Sequence, residues 1–240
     1  MALVVSEQGP LWSAVTDALL SSGKHLATAR PSDPDLFLLA LDKQTIVYAP
    51  ASSLLGGTLA PCPSRRRMQR VLRAARAPGV SLLVLLVPSA GGFAEEEALL
   101  RRSGKPYVVL RSPPLLDEIA EQMGTADHDA LWVPRAGVAE ATDADRLGAA
   151  LLEAIDGGHV GSSIRVAGDT LGAPELFDRA ANVFAMRGAE PRLHIHAVWP
   201  PLYRLTRRML KLLGRPEPAA LELWDRLGQP ALGSASASMA

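Results

Sequence analysis

The sequence predicts an α/β protein with a Rossmann-like, doubly wound and mostly parallel sheet. Short apolar runs alternate with segments of helical periodicity, and wholly apolar strands are typical of a parallel sheet covered on both faces. The run at 80–87, VSLLVLLV, is the most apolar segment and is predicted to be the most buried strand. The 240 residues are 48% hydrophobic, with 25 basic and 25 acidic residues, so the composition is that of a folded protein.

The first half of the chain reads as alternating strands and helices. Strands are predicted at 2–5, 25–29, 45–49, 80–87 and 107–110, and helices at 11–20, 36–41, 64–76 and 95–102. Apolar residues at intervals of three or four predict the helices, and Gly23, Gly79 and Gly104 end three of them. The first three elements therefore predict a βαβ unit.

The second half continues with shorter strands and further helices. Strands are predicted at 130–133, 164–167 and 193–198, and helices at 142–155, 174–186 and 218–227. The first of these helices starts with a Thr-x-x-Asp pattern at Thr142 and Asp145. We interpret the basic amphipathic segment 202–213 as packing its Leu/Met side on the protein's own core, with membrane-interface attachment as the alternative.

These elements predict two portions and a tail. Residues 1–130 form a Rossmann-like portion of the nucleotide-binding type, residues 131–232 complete the sheet and add a small substrate-lobe-like part, and residues 233–240 form a disordered tail. No apolar run approaches the ~20 residues that a membrane-spanning helix needs. The N-terminal segment reaches Glu7 before any Lys or Arg, the reverse of a signal peptide, so we expect a cytoplasmic protein.

Charge and cysteine content argue against a nucleic-acid-binding, a disulfide-bonded or a metal-binding protein. A net charge of zero supplies no long-range attraction for nucleic acid, and the single cysteine, Cys62, excludes an internal disulfide and a cysteine-rich metal site. His194 and His196 point the same way on a predicted strand, but no third ligand stands at a fixed spacing. We therefore expect no metal and no nucleic-acid partner.

One helix concentrates positive charge. The cluster consists of Arg65, Arg66, Arg67, Arg70, Arg73 and Arg76. We interpret it as a solvated helix face paired with the acidic run at 95–97, and the alternative is a surface that binds a partner.

Four longer sequence segments, and their order along the chain, resemble those of a known protein family. They are VVSEQGPLWSAVTDALLSSGKHLATAR, VLRAARAPGVSLLVLLVPSAG, EEEALLRRSGKPYVVLRSPPLLDEI and IRVAGDTLGAPELFDRAANVF. In this order they resemble the NmrA-like, atypical extended branch of the short-chain dehydrogenase/reductase (SDR) superfamily. The resemblance spans residues 2–215 and implies a Rossmann fold of the NAD(P)-binding type.

The resemblance places the family's glycine loop, G-x-x-G-x-x-G, at Ser6, Gly9 and Trp12. Glycines serve there because the loop turns tightly and its backbone must approach the pyrophosphate. Ser6 could still hydrogen-bond a phosphate, whereas the indole of Trp12 fills the space needed for close approach. The loop is either a modified dinucleotide site or one that kept its fold and lost its ligand.

Arg30 ends the second predicted strand, where the family discriminates between cofactors. An acid there binds the ribose hydroxyls of NAD, and an arginine suits the 2′-phosphate of NADP. The alternative is a solvated strand-end arginine, and Asp33 and Asp35 nearby weaken the preference. Only about 15 residues separate Arg30 from the next strand, so the family's third strand, which sits over the adenine, is predicted to be trimmed or absent.

The family's Tyr-x-x-x-Lys pair falls at Ser89 and Phe93. In active members the lysine lowers the pKa of the tyrosine so that its phenol acts as an acid or base, and neither residue here can do this. NmrA-like proteins include members without the pair, which resemble redox sensors or binding proteins more than enzymes.

We therefore predict a catalytically inactive protein that acts by binding a small ligand, a dinucleotide or a protein partner, with NADP binding weak or absent. The candidate cofactor-binding residues are Ser6, Gly9, Trp12, Arg30 and Ser89. The alternative is an NAD(P)H-dependent oxidoreductase or epimerase-like enzyme with a relocated acid/base at Tyr48, Tyr107 or His128. Whether the chain forms a homo-oligomer is left open.

Overall fold

The structure is a computed structural model that describes most of the chain. The described residues are 1–51, 53–55, 64–124, 130–135, 137–186 and 194–199, with 202, 205, 208, 209, 224 and 227. The strands are β1 (Ala2–Val5), β2 (Leu26–Ala29), β3 (Thr45–Tyr48), β4 (Leu82–Pro88), β5 (Tyr107–Ser112), β6 (Ala130–Pro134), β7 (Val138–Ala141), β8 (Ser163–Arg165), β9 (Asp169–Gly172) and β10 (His194–Val198). The helices are α1 (Pro10–Ser21), α2 (Leu36–Ala40), α3 (Ser64–Ala74), α4 (Ala94–Arg102), α5 (Leu116–Gly124), α6 (Ala144–Asp156) and α7 (Ala173–Met186).

A six-stranded sheet in the order β2-β1-β3-β4-β5-β8 organises the first part of the fold. Every pairing within it is parallel. Strand β4 is buried at all seven positions, as expected from its continuous apolar sequence. The predicted α/β class, with VSLLVLLV inside a parallel sheet, is confirmed.

Helices cover this sheet. On one side, α2, α3 and α4 bury Leu36, Met68, Val71 and Leu100 in a core that also contains Leu85 of β4. Helices α1 and α6 pack against each other, and both contact strands of the sheet. The amphipathic periodicity of the helices thus produces the doubly wound arrangement.

Strand β2 lies at one edge of the sheet. Residues 30–44, all of which are described, contain α2 and no strand before β3. The short stretch between Arg30 and β3 thus contains no further strand, in line with the prediction that this strand is trimmed or absent. Since no strand among the described residues pairs with its outer side, β2 is only partly buried, and Thr28 is exposed.

The chain divides into two compact units. The first comprises Met1–Pro113 and Thr142–Ala167, and the second comprises Pro114–Ala141 and Gly168–Ala240. The second contains the parallel pair β6/β10, the antiparallel pair β7/β9, and helices α5 and α7. Thr142–Ala167 thus belongs to the first unit, although it follows part of the second unit in the sequence. The predicted boundary between two portions at residue 130 stays a prediction.

Several elements differ from the sequence-based expectations. The predicted start of α6 at Thr142 is wrong, because Asp143 caps the helix by accepting a hydrogen bond from the Arg146 backbone N–H at 2.8 Å. The Thr142 hydroxyl instead donates to the Ala167 carbonyl at 2.9 Å. Helix α5 and strands β7 and β9 were not predicted from the sequence.

The C-terminal region is described at a few positions. Leu202, Leu205 and Met209 are helical and about half exposed, so the predicted packing of the Leu/Met side on the core is wrong for these three residues. Most of the predicted last helix and the predicted tail lie outside the described residues. Within the described part of the chain, every helix is too short or too polar to cross a bilayer.

Candidate functional site

An open cleft of about 250 Å³ lies in the first unit, at the carboxyl ends of β1 and β2. Its lining residues are Ser6, Gln8, Trp12, Thr28, Ala29, Arg30 and Asp33. The carboxyl ends of parallel strands, beside the start of α1, form the usual ligand edge of such a sheet. Three of the predicted cofactor residues, Ser6, Trp12 and Arg30, therefore meet in one cleft.

The start of α1 determines which backbone groups face a ligand. Gly9 caps the helix with an extended backbone, φ 159° and ψ −178°, and its carbonyl accepts from the Ser13 backbone N–H at 3.0 Å. Pro10 occupies the first turn. Proline suits this position because its φ is preset, but it has no N–H, so the helix start has one fewer donor for a phosphate. The sequence predicts a turn at Gly9-Pro10. The preference of proline for the first position of a helix could also have indicated that this helix start lacks one N–H donor.

Ser6 is nearly fully buried, at 2% exposure. Its backbone N–H donates to the Ala29 carbonyl at 3.1 Å and thus continues the β1/β2 pairing by one residue. Its hydroxyl donates to the Glu7 carbonyl at 3.1 Å. The proton that could have met a phosphate therefore already has a local acceptor.

Trp12 lies in the first turn of α1 and is half-buried against the cleft. Its indole stands where the resembled loop has its third glycine, a position that serves close packing of the helix against the strand, and here it lines the cleft. A side chain of this size leaves a shallow cleft with an aromatic wall.

Arg30 gives the cleft its positive charge. The guanidinium is exposed and makes no hydrogen bond or ion pair with the described residues. Its backbone N–H donates to Oδ2 of Asp33 at 2.7 Å, and the Asp33 N–H donates back to the Arg30 carbonyl at 3.0 Å. Asp33 thus fixes the turn that presents Arg30, a role that its sequence position alone does not reveal.

Two arginines of α3 reach the loops around the cleft. Arg67 approaches Glu7 with an Nη1–Oε1 distance of 3.5 Å, and Arg70 donates to the Ser32 carbonyl at 3.2 Å. Neither residue lines the cleft. The charge of Arg67 is offset by Glu7, whereas Arg70 bonds a neutral carbonyl and adds positive charge beside the cleft, which favours an anionic ligand.

The two residues at which the resemblance places the catalytic pair, Ser89 and Phe93, lie between β4 and the start of α4. The Ser89 backbone N–H donates to the Ser112 carbonyl at 2.7 Å, which extends the β4/β5 pairing, and its side chain is half-buried. Gly91 and Gly92, with φ of 96° and 101°, make the turn that follows, a conformation disfavoured for other residues. Phe93 is only 5% exposed and belongs to the main hydrophobic core.

An ion pair on α4 was not found from the sequence. Glu97 is buried, accepts a hydrogen bond from Nη2 of Arg111 on β5, and lies 3.5 Å from Nη2 of Arg101. Because both carboxylate oxygens are engaged by arginines, Glu97 joins α4 to the sheet and is not placed as a catalytic acid.

The alternative acid/base residues gain no support from their positions. Tyr48 is fully buried in the core, and Tyr107 begins β5 at the amino edge of the sheet, opposite to the cleft. His128 lies outside the described residues. Among the residues that the structure describes, no group of three or more His, Cys, Asp or Glu side chains is placed to hold a metal.

Comparison with known proteins identifies similar folds. No protein-family model and no curated protein matches the chain. A nucleoside-diphosphate-sugar epimerase from Staphylococcus aureus is 14% identical, with a TM-score of 0.64 over 98% of this chain and 92% of that one. A triphenylmethane reductase from Citrobacter sp., complexed with NADP(H), is 15% identical, with a TM-score of 0.63 over 98% and 93% of the two chains.

A third structure, an NADPH-dependent quinone oxidoreductase from Escherichia coli complexed with NADPH, is 18% identical, with a TM-score of 0.58 over 95% of this chain and 87% of that one. The chain has the Rossmann-like fold of these reductases and epimerases. At these identities the likeness establishes the fold, and the chemistry must be argued from this chain's own residues.

Proposed function

We propose that this protein is a non-catalytic member of the SDR superfamily, related to its NmrA-like branch, that binds a small anionic ligand in the cleft at the carboxyl ends of β1 and β2. The resemblance of four sequence strings and the fold of the reductases and epimerases support the superfamily. The NADP(H) and NADPH bound by two of the similar structures make NADP the reference ligand.

The observation that carries the proposal is the burial of Phe93. A catalytic lysine must reach both a tyrosine and the cofactor from an accessible position, whereas this position holds an aromatic ring inside the core. With a serine at the tyrosine position, the chain has no proton donor of suitable pKa there.

The loop between β1 and α1 limits the size of the ligand that the cleft can bind. The Trp12 indole occupies part of the cleft and Pro10 removes one N–H from the start of α1, whereas Arg30 is exposed and lines the cleft. A small ligand with a single phosphate or similar anion can place that group at Arg30 without needing the space that the Trp12 indole occupies. We therefore expect binding of compact anions and little additional contribution from a nicotinamide half.

The test is isothermal titration calorimetry with adenosine 2′-monophosphate as the probe and adenosine as its uncharged partner. We expect the phosphate to improve affinity about tenfold and the Arg30→Ala substitution to remove that gain, because one charge-assisted hydrogen bond is worth about 1.5–3 kcal/mol.

The control is Arg102→Ala, which removes an exposed arginine from α4 and should leave binding unchanged. Equal affinity for the two probes, or an Arg30→Ala variant that binds like the wild type, would refute the anion site.

A further inference from the structure

Helix α2 presents an unusual amount of apolar surface. Its sequence, LFLLA, is apolar throughout, but only Leu36 and Ala40 are buried. The exposed residues, here called the α2 patch, are Phe37, Leu38, Leu39 and the following Leu41. Clusters of exposed large apolar side chains at one place mark interaction sites more often than single ones do.

A row of positive charge runs along α3. Arg66, Arg70 and Arg73, here called the arginine row, follow the spacing i, i+4, i+7 and so share one helix face over about 10 Å. All three are exposed, while Met68 and Val71 face the core. The helix contains no acidic residue.

Little in the first unit neutralises this row. Arg66 and Arg73 make no hydrogen bond or ion pair with the described residues, and the bond from Arg70 goes to the neutral Ser32 carbonyl. The acids that approach α3 pair with other arginines: Glu95 lies 3.8 Å from Arg65, and Glu7 contacts Arg67. Like charges at these spacings cost about 0.2–0.5 kcal/mol per pair in an isolated helix.

The α2 patch and the arginine row are carried by neighbouring helices of the first unit. Helices α2 and α3 pack against each other. The Arg70 bond to Ser32 ties the row to the loop before α2. Beyond the end of α3, a Cβ on Gly79 would stand 3.0 Å from the Leu41 carbonyl oxygen, so the chain after α2 runs close by.

We propose that the α2 patch and the arginine row together form a docking surface for an acidic amphipathic helix of a protein partner. An apolar strip beside a basic strip of helical spacing complements a helix that carries carboxylates along one edge and aliphatic side chains along the next. This surface lies apart from the lining of the cleft and extends the proposed function.

An anionic bilayer fits the surface less well. Asp35 is exposed at the start of α2, and Asp42 is exposed just beyond its end. A hydrogen bond from Lys43 at 2.6 Å holds the pKa of Asp42 below its ordinary value and offsets its negative charge. A flat lipid surface would meet the exposed Asp35 carboxylate, whereas a narrow helix laid along the arginine row can avoid it.

The experiment uses the full chain and a fluorescent, helix-forming peptide with Glu at i, i+4 and i+7 and Leu on the adjacent face. We expect fluorescence anisotropy to give a dissociation constant of about 100 μM or tighter. A peptide of the same composition in scrambled order should bind at least about tenfold more weakly, because it lacks the acidic edge.

Two matched pairs of variants locate the site. Arg73→Glu should weaken binding about tenfold, whereas Arg102→Glu, the same charge reversal in the last turn of α4, should not. Leu38→Ser should weaken it about fivefold, and Leu20→Ser, at a similarly exposed leucine of α1, should leave it unchanged.

Arg30→Ala should also leave peptide binding unchanged, so that failure at the cleft and failure at this surface can be told apart. No binding of the acidic peptide at 1 mM, equal effects of Arg73→Glu and Arg102→Glu, or preferential binding to phosphatidylglycerol vesicles would overturn the proposal.

Discussion

Replacing Phe93 with lysine lowers the free energy of unfolding by about 4 kcal/mol, which corresponds to a fall in Tm of roughly 10 °C. The substitution removes a ring that packs in the core and puts an ammonium group where the residue is only 5% exposed. Phe93→Leu keeps an apolar side chain there and should cost no more than about 1.5 kcal/mol. Thermal and urea unfolding of both variants measure the difference.

The same substitution tests the catalytic claim. Combined with Ser89→Tyr it restores the family's residue types on paper, but we expect no hydride transfer from NADPH or NADH to carbonyl or quinone substrates. The lysine has no accessible position, and the cofactor loop is still altered. An unfolding energy unchanged in Phe93→Lys, or turnover in the double variant, would show that Phe93 is not locked in the core.

The second large effect concerns the cofactor loop. Replacing Ser6 and Trp12 together with glycine should raise the affinity for NADPH at least about tenfold, because removal of the indole opens the space that it fills in the cleft. Adding Pro10→Ala should raise it further, since the variant gains an N–H in the first turn of α1. Calorimetric titration with NADPH measures each step.

Trp199→Gly is the matched control. Trp199 is an exposed tryptophan outside the first unit, so its loss should not change NADPH affinity. If the glycine variants stay folded and bind no better than the wild type, Trp12 and Pro10 are not what limits binding at this cleft.

Strands β1, β3 and β4 could be predicted because they are buried along their whole length. The run at 80–87 is almost continuously apolar, which is typical of a strand inside a parallel sheet. Its position beside the strand at 45–48 follows from the order of the elements along the chain. Strands β7 and β9 could not be found in this way. VAEA and DTLG are short, and Val138 is exposed, so neither forms an apolar run.

The cleft was predictable in position and less so in detail. The resemblance brings Ser6, Trp12 and Arg30 to one edge, but sequence cannot tell that the Ser6 hydroxyl donates to Glu7 or that Asp33 holds the turn of Arg30. Thr142 and Asp143 are both good capping residues, and only the helix geometry decides between them. The first turn of helix α5 contains Asp117 and Glu118, and acidic residues are favoured at a helix N-terminus. Apolar periodicity, from which the helices are predicted, does not identify this one.

The central claim is that the cleft keeps an anion site and has lost the site for a whole dinucleotide. The most direct measurement compares the dissociation constants of NADPH and adenosine 2′-monophosphate for the unmodified protein by calorimetry. We expect the two constants to agree within about threefold, because the pyrophosphate and nicotinamide should add almost nothing to the binding free energy. Micromolar NADPH binding, about a hundredfold tighter than that of the monophosphate, would contradict this expectation.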